Sequence, residues 1–144
     1  MHSEAEGHNR SNLKLRVHEA GARAAVAVEG RLSVRNVEAL TGRLARLYMS
    51  GKSAIIIDFS RLKHADYRSL PSLSSALRSL SRSGCEVILC NLSDYVLNIF
   101  RVVGCDEGLT IYGRKEEAVR ALRYRLASSY AQRSYRAKTV SAAM

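Results

Sequence analysis

Tryptophan is absent from the chain, proline occurs once, and cysteine occurs three times in 144 residues. A single proline leaves no proline-rich linker, and the length suits one domain with a buried core. The cysteines show no CxxC or Cys/His spacing, so neither a disulfide framework nor a zinc site is expected. Cys85, Cys90 and Cys105 read as buried or half-buried free thiols in a reducing cytoplasm. No apolar run approaches the ~18 residues that suggest a membrane span. The opening residues, MHSEAEGHNRSN, are polar and carry acids, which points to a flexible leader over 1–12 and not to a secretory signal. Catalytic signatures are missing as well. Gly21, Gly30, Gly42, Gly51, Gly84 and Gly104 are isolated and form no phosphate loop, and neither GxSxG nor HExxH occurs. The chain is therefore not expected to be an enzyme, nor to carry a metal or cofactor.

Acids are the minority charge, 13 against 23 Lys and Arg, for a net charge of +10. Residues 1–12 contribute −1 (Arg10 against Glu4 and Glu6), and residues 113–144 contribute +6 (eight bases against Glu116 and Glu117). The remaining +5 is spread over about a hundred residues. Basicity of this kind attracts acidic proteins, nucleic acid or anionic membranes, and here much of it belongs to the C-terminal segment.

Hydrophobic periodicity supplies the elements. Leu13, Leu15 and Val17 alternate with Lys14 and Arg16, as in a strand with one wet face near a sheet edge. Residues 24–29 form a second strand, joined to the first by a turn at Gly21. Ser33 is placed to cap an amphipathic helix over 34–49, with Val37, Leu40, Leu44 and Leu47 inward and a stop at Gly51. Residues 54–59 (AIIIDF) are apolar on both faces, the pattern of a covered central strand. A second helix buries Leu70, Leu73, Leu77 and Leu80, and a buried strand follows at 86–91. Ser93 or Asp94 caps a third helix with Val96, Ile99, Phe100 and Val103 inward. A short strand at 109–112 precedes a long helix starting near Arg114. This order predicts an α/β fold: a mixed, mostly parallel sheet of about five strands with helices packed on it.

That order resembles the STAS domain, named for sulphate transporters and anti-sigma factor antagonists. Three stretches carry the resemblance over residues 13–122. The first is Val28-Glu29-Gly30-Arg31-Leu32 with the helix after it. The second is Ile55-Ile56-Ile57-Asp58-Phe59-Ser60 followed by His64-Ala65-Asp66. The third runs Asn91-Leu92-Ser93, Val96, Ile99-Phe100, Gly104-Cys105-Asp106 and Glu116-Glu117-Ala118-Val119. The resemblance implies a regulatory, protein-binding module like an anti-sigma factor antagonist, its partner an anti-sigma factor or related kinase-like protein. The alternative it allows is a STAS subunit bracing the ABC ATPase of a membrane transporter.

At the loop where the family reads Asp-Ser-Ser/Thr-Gly-Leu, this chain reads Asp66-Tyr67-Arg68-Ser69-Leu70. Arg68 stands at the phosphoacceptor position, and arginine neither accepts a phosphoryl group nor mimics one. Pro71 suits the second helical position if Ser69 is the cap, which predicts a late helix start and leaves 66–68 as an exposed loop. Ser69 is then the nearest replacement acceptor. Asp66 reads as a turn residue satisfying backbone N–H groups. Tyr67 and Arg68 read as either a binding hot spot or a solvated turn, and Asp94 and Tyr95 either extend that patch or cap the third helix.

Residues 123–144 form a basic extension, helical at first. Arg120, Arg123, Arg125, Arg133 and Arg136 interleave with tyrosines, a composition that binds nucleic acid or simply solvates a fraying end. A nucleic-acid-binding role through this segment is a third alternative. Oligomeric state has no signature in the sequence.

Overall fold

Three β-branched residues in a row, Ile55 to Ile57, belong in the middle of a sheet covered on both faces, and that is where they lie. The computed structural model describes residues 12–123. Its strands are β1 (Leu13–Ala20), β2 (Arg23–Leu32), β3 (Ala54–Ala65), β4 (Glu86–Cys90) and β5 (Thr110–Tyr112). Its helices are α1 (Val37–Met49), α2 (Leu70–Arg82), α3 (Asp94–Val102) and a segment α4 over 115–123, where the described residues end. The strands lie in the order β1-β2-β3-β4-β5. The β1–β2 hairpin is antiparallel and every other pair is parallel.

This topology places the helices. Crossovers that are all right-handed and step in one direction across a sheet put their helices on one face. The stripes of α1, α2 and α3 accordingly share a core with Val26, Val28, Ile55, Ile57 and Leu89. On the opposite face Ala118 and Leu122 of α4 pack on Ala54, Ile56, Ile88 and Cys90. Phe59 and Phe100 meet edge to face at 6.3 Å and tie α3 to β3.

The α/β architecture follows the expectation, while several boundaries do not. β3 continues to Ala65, six residues past the apolar run. Its second half, Ser60–Ala65, lacks strict alternation because the pairing with β2 shifts register between Ala27 and Glu29 and again between Gly30 and Arg31. Leu62 and Ala65 still reach the core, whereas Arg61 and Lys63 stay in water. α1 begins at Val37 and not at 34, because Asn36 organises the preceding turn. Its carboxamide accepts the Ser33 N–H at 2.8 Å and donates to the Arg31 carbonyl at 2.9 Å. Ser33 supplies its backbone carbonyl to Val37. Ser93, of the two candidates, caps α3, accepting the Val96 N–H at 3.1 Å.

All three cysteines are buried and free. Burial pushes the Cys85 thiol up to about 11 and Cys90 up to about 12, so neither forms a thiolate near neutrality. Iodoacetamide at pH 8 is expected to leave Cys85 and Cys90 unmodified in the native protein and to label both in denaturant. Native-state labelling of either, read by peptide mass spectrometry, would show that this packing opens.

Candidate functional site

Parallel strands all end at one side of a sheet, and the segments leaving them there form the natural binding edge of an α/β domain. In this chain the edge is built from the end of β3, the turn into α2, and α3. The Asp66 N–H donates to the Leu32 carbonyl at 2.8 Å, which anchors the turn to β2. Tyr67–Ser69 then make one turn of 3₁₀ helix that runs directly into α2.

The late start of α2 follows the expectation, with Ser69 at the position before its first residue and Tyr67 and Arg68 exposed, but residues 67–69 form a 3₁₀ turn in place of an open loop. Asp66 caps that 3₁₀ turn, its Oδ1 accepting the Arg68 N–H at 3.0 Å. Pro71 still falls in the first turn of α2, where its missing N–H costs nothing. Both preferences are met because the helix type changes between Ser69 and Leu70. The Ser69 side chain does not cap α2 but turns back, its Oγ donating to the Asp66 carbonyl at 2.7 Å, and the residue is 1% exposed.

The Asp66 carboxylate also grips the Arg68 guanidinium, through Nε at 3.2 Å and Nη2 at 2.8 Å. Bidentate, charge-assisted bonds of this kind are the strong ones. The Arg68 side-chain and backbone bonds hold the Asp66 carboxyl at about 2. Because its folded pKa lies below the unfolded value, the contribution of Asp66 is complete above pH ~4 and is lost as pH falls through about 2. An NMR titration is expected to show the Arg68 amide and Nε resonances moving with a midpoint near 2. A midpoint near the ordinary carboxylate value would mean that the clamp is not formed.

Between this turn and α3 runs an open groove of about 730 Å³, lined by His64, Tyr67, Arg68, Ile99, Val102 and Val103 among others. Tyr67 is 60% exposed and Val102 75%. At the same edge the Tyr95 hydroxyl lies 2.8 Å from His64 Nδ1, with the two rings stacked at 5.7 Å. Tyr95 is itself 56% exposed.

Of the sequence-predicted site residues, Asp66, Tyr67 and Arg68 line this groove, and Tyr95 reaches its rim through His64. Ser69 and Leu70 are buried beneath it. Asp94 is exposed in the first turn of α3 and is not among the residues lining the groove. Arg120 and Arg123 are exposed on α4, and Arg125, Arg133 and Arg136 lie outside the described residues. Sequence reasoning missed His64, Asn98, Ile99, Val102 and Val103 as groove residues. The usable signal was Val102, a large apolar residue off the inward stripe of its own helix. No group of three metal-ligating side chains occurs among the described residues.

A mixed five-stranded sheet, three crossover helices on one face and a further helix on the other define a domain of STAS architecture. A family model described as "Mlab, STAS domain" matches residues 15–112. The chain belongs to that family. Among solved structures it is similar to an anti-sigma factor antagonist from Mycobacterium paratuberculosis at 17% identity and TM-score 0.69, over 78% of this chain and 96% of that one. It is also similar to unphosphorylated SpoIIAA of Bacillus, an anti-sigma factor antagonist, at 21% identity and TM-score 0.63, over 76% and 96%. A variant of Moorella thermoacetica RsbS aligns at 17% identity and TM-score 0.66, over 79% and 98%. No curated protein sequence matches the chain. Among the described residues no helix is long and apolar enough to cross a membrane.

Proposed function

We propose that this chain is a regulatory binding module that takes a protein partner in the groove between the β3–α2 turn and α3, without a serine phosphorylation switch. The observation carrying this reading is the clustering of Tyr67 and Val102, both largely exposed, around an open groove at the strand-end edge of a STAS domain. Exposed aromatic and aliphatic side chains beside an arginine are the usual anchors of a protein interface. A kinase-type anti-sigma factor is the partner class favoured by the fold shared with SpoIIAA and the mycobacterial antagonist.

The absence of a switch is supported by two side chains. Arg68 offers no hydroxyl, and its guanidinium is already engaged by Asp66. The Ser69 hydroxyl is buried and committed to the Asp66 carbonyl, so a kinase would have to open the turn to reach it. Incubation with a serine kinase of anti-sigma type and ATP is expected to leave residues 66–75 unlabelled. Stoichiometric phosphate there overturns the unswitched reading.

Affinity capture from the native cell with the full chain, repeated with Tyr67→Ala, tests the site. The expected result is a single partner whose recovery falls at least tenfold with the variant, the ordinary size of an aromatic anchor's contribution. A partner retained in full by Tyr67→Ala places the interface elsewhere. Recovery of an ABC ATPase in place of an anti-sigma factor assigns the same groove to a transport complex.

A further inference from the structure

Among the described residues, the outer face of the sheet is only half covered. Residue rows read across the strands give its composition: Ala20, Arg23, Ala54 and Glu86; then His18, Ala25, Ile56 and Ile88; then Arg16, Ala27, Asp58 and Cys90; then Lys14, Glu29 and Arg61. α4 packs over the β3–β4 part through Ala118 and Leu122. The β1–β2 part carries only small or charged side chains. Along the border with α4, His18, Arg23, Lys115 and Arg123 rim a groove of about 260 Å³ that has no acidic residue in its lining. At the other end Lys14, Arg61 and Lys63 line a second, wider groove with Glu29.

The acids on this face are largely spoken for. Glu29 pairs with Arg16 at 2.8 Å. Asp58 accepts the Asn91 side-chain N–H at 3.0 Å and the Ser60 N–H at 2.9 Å, and it feels the charge of Lys115. Glu86 makes interactions of its own at the β4 end. On α4, Glu117 takes the Arg114 N–H and Glu116 faces solvent. By contrast Lys14, Arg23, Arg61, Lys63, Arg120 and Arg123 form no salt bridge with another described residue. On β1, Lys14 stands two residues, ~6.6 Å, from Arg16, the partner of Glu29.

We infer that this face binds the phosphate backbone of nucleic acid. Cations that form no salt bridge among the described residues stand at both ends of this face, which suits an extended polyanion, and the predominance of arginine, 18 to 5 over lysine in the whole chain, favours phosphate oxygens as their acceptors. A membrane surface fits less well, because interfacial binding needs exposed large apolar side chains among the bases. Among the described residues the exposed ones, Val34, Tyr48, Met49, Tyr67, Tyr95 and Val102, belong to none of these rows. This surface is distinct from the partner groove. The sequence drew attention to the C-terminal arginines alone, whereas the fold joins Arg123 to Arg23 and His18.

The test is fluorescence anisotropy of a labelled mixed-sequence DNA duplex, and of the same-sequence RNA, titrated with the full chain at several salt concentrations. If about four phosphates are neutralised, log K falls with log salt at a slope near −3.6, a loss of roughly 150-fold between ~50 and ~200 mM. The double variant Arg23→Gln/Arg123→Gln is expected to reduce the slope by about 1.8, and Lys14→Gln/Arg61→Gln by a similar amount. Tyr67→Ala is expected to leave it unchanged. Thermal melts of each variant confirm that the fold is kept. Absence of binding at ~50 mM salt overturns the inference. So does a slope that neither double variant moves but that Arg125→Gln/Arg133→Gln/Arg136→Gln abolishes, since the far C-terminal segment would then be the binder. Binding to phosphatidylserine vesicles without binding to either nucleic acid overturns it as well.

Discussion

Gly30→Ala is expected to destabilise the domain by about 3 kcal/mol, lowering the melting temperature by about 10–20 °C. Gly30 sits at φ +103, a backbone conformation that side chains disfavour. A Cβ there would also stand 2.2 Å from the Asn12 carbonyl oxygen and 3.2 Å from its carbon. No rotamer change relieves a clash with backbone. The same Asn12 oxygen accepts the Arg31 N–H at 2.9 Å, so moving it away breaks the bond that starts the β1–β2 ladder. Gly21→Ala is the matched control, with φ +61 and nothing within 4 Å of the added carbon. It carries backbone strain alone and should cost only about 1 kcal/mol. Equal losses for the two, measured by chemical or thermal denaturation, would mean that Asn12 does not hold β1 as described.

Gly30 also shows how far the sequence could be read. Val28-Glu29-Gly30-Arg31-Leu32 announces a break in the strand pattern, and the break is a register shift inside β2, not the end of the strand. The same shift hides the second half of β3. Arg61, Lys63 and His64 look like loop residues because the bulged pairing removes the period of two by which strands are recognised. The central strands and the helical stripes were legible, since burial dictates their residue types: Leu40, Leu44, Leu73, Leu77 and Phe100 are all fully buried. Polar organisers were not legible. Asn36 holds a turn through two bonds made to residues three and five positions earlier, and its letter in the sequence does not distinguish it from a solvated asparagine. Asp66 is legible as a turn residue accepting a backbone N–H, whereas its ion pair with Arg68 depends on a 3₁₀ turn that no residue pattern announces. The groove was the least legible feature, because His64 on β3 and Val102 on α3 are joined only by the tertiary fold.

Val102→Asp is expected to abolish capture of the groove's partner while leaving the fold intact. At 75% exposure Val102 contributes little burial to the domain. Surface substitutions of this kind ordinarily change stability by less than about 0.5 kcal/mol. In a complex the same position lies on the wall of the groove, and a carboxylate there would have to be desolvated against Ile99 and Val103. Truncating a central anchor typically costs 2 kcal/mol or more, about 30-fold in affinity, and a buried unpaired charge costs further. An acid at the last residue of α3 also opposes the helix dipole. Val102→Lys separates that effect, because a base is favoured at the same position. Loss of binding in both variants, with melting temperatures within a few degrees of the parent protein, assigns the loss to the groove. Loss with Val102→Asp alone would trace the effect to charge or to α3 itself. Full capture by both variants would remove Val102, and with it the groove, from the interface.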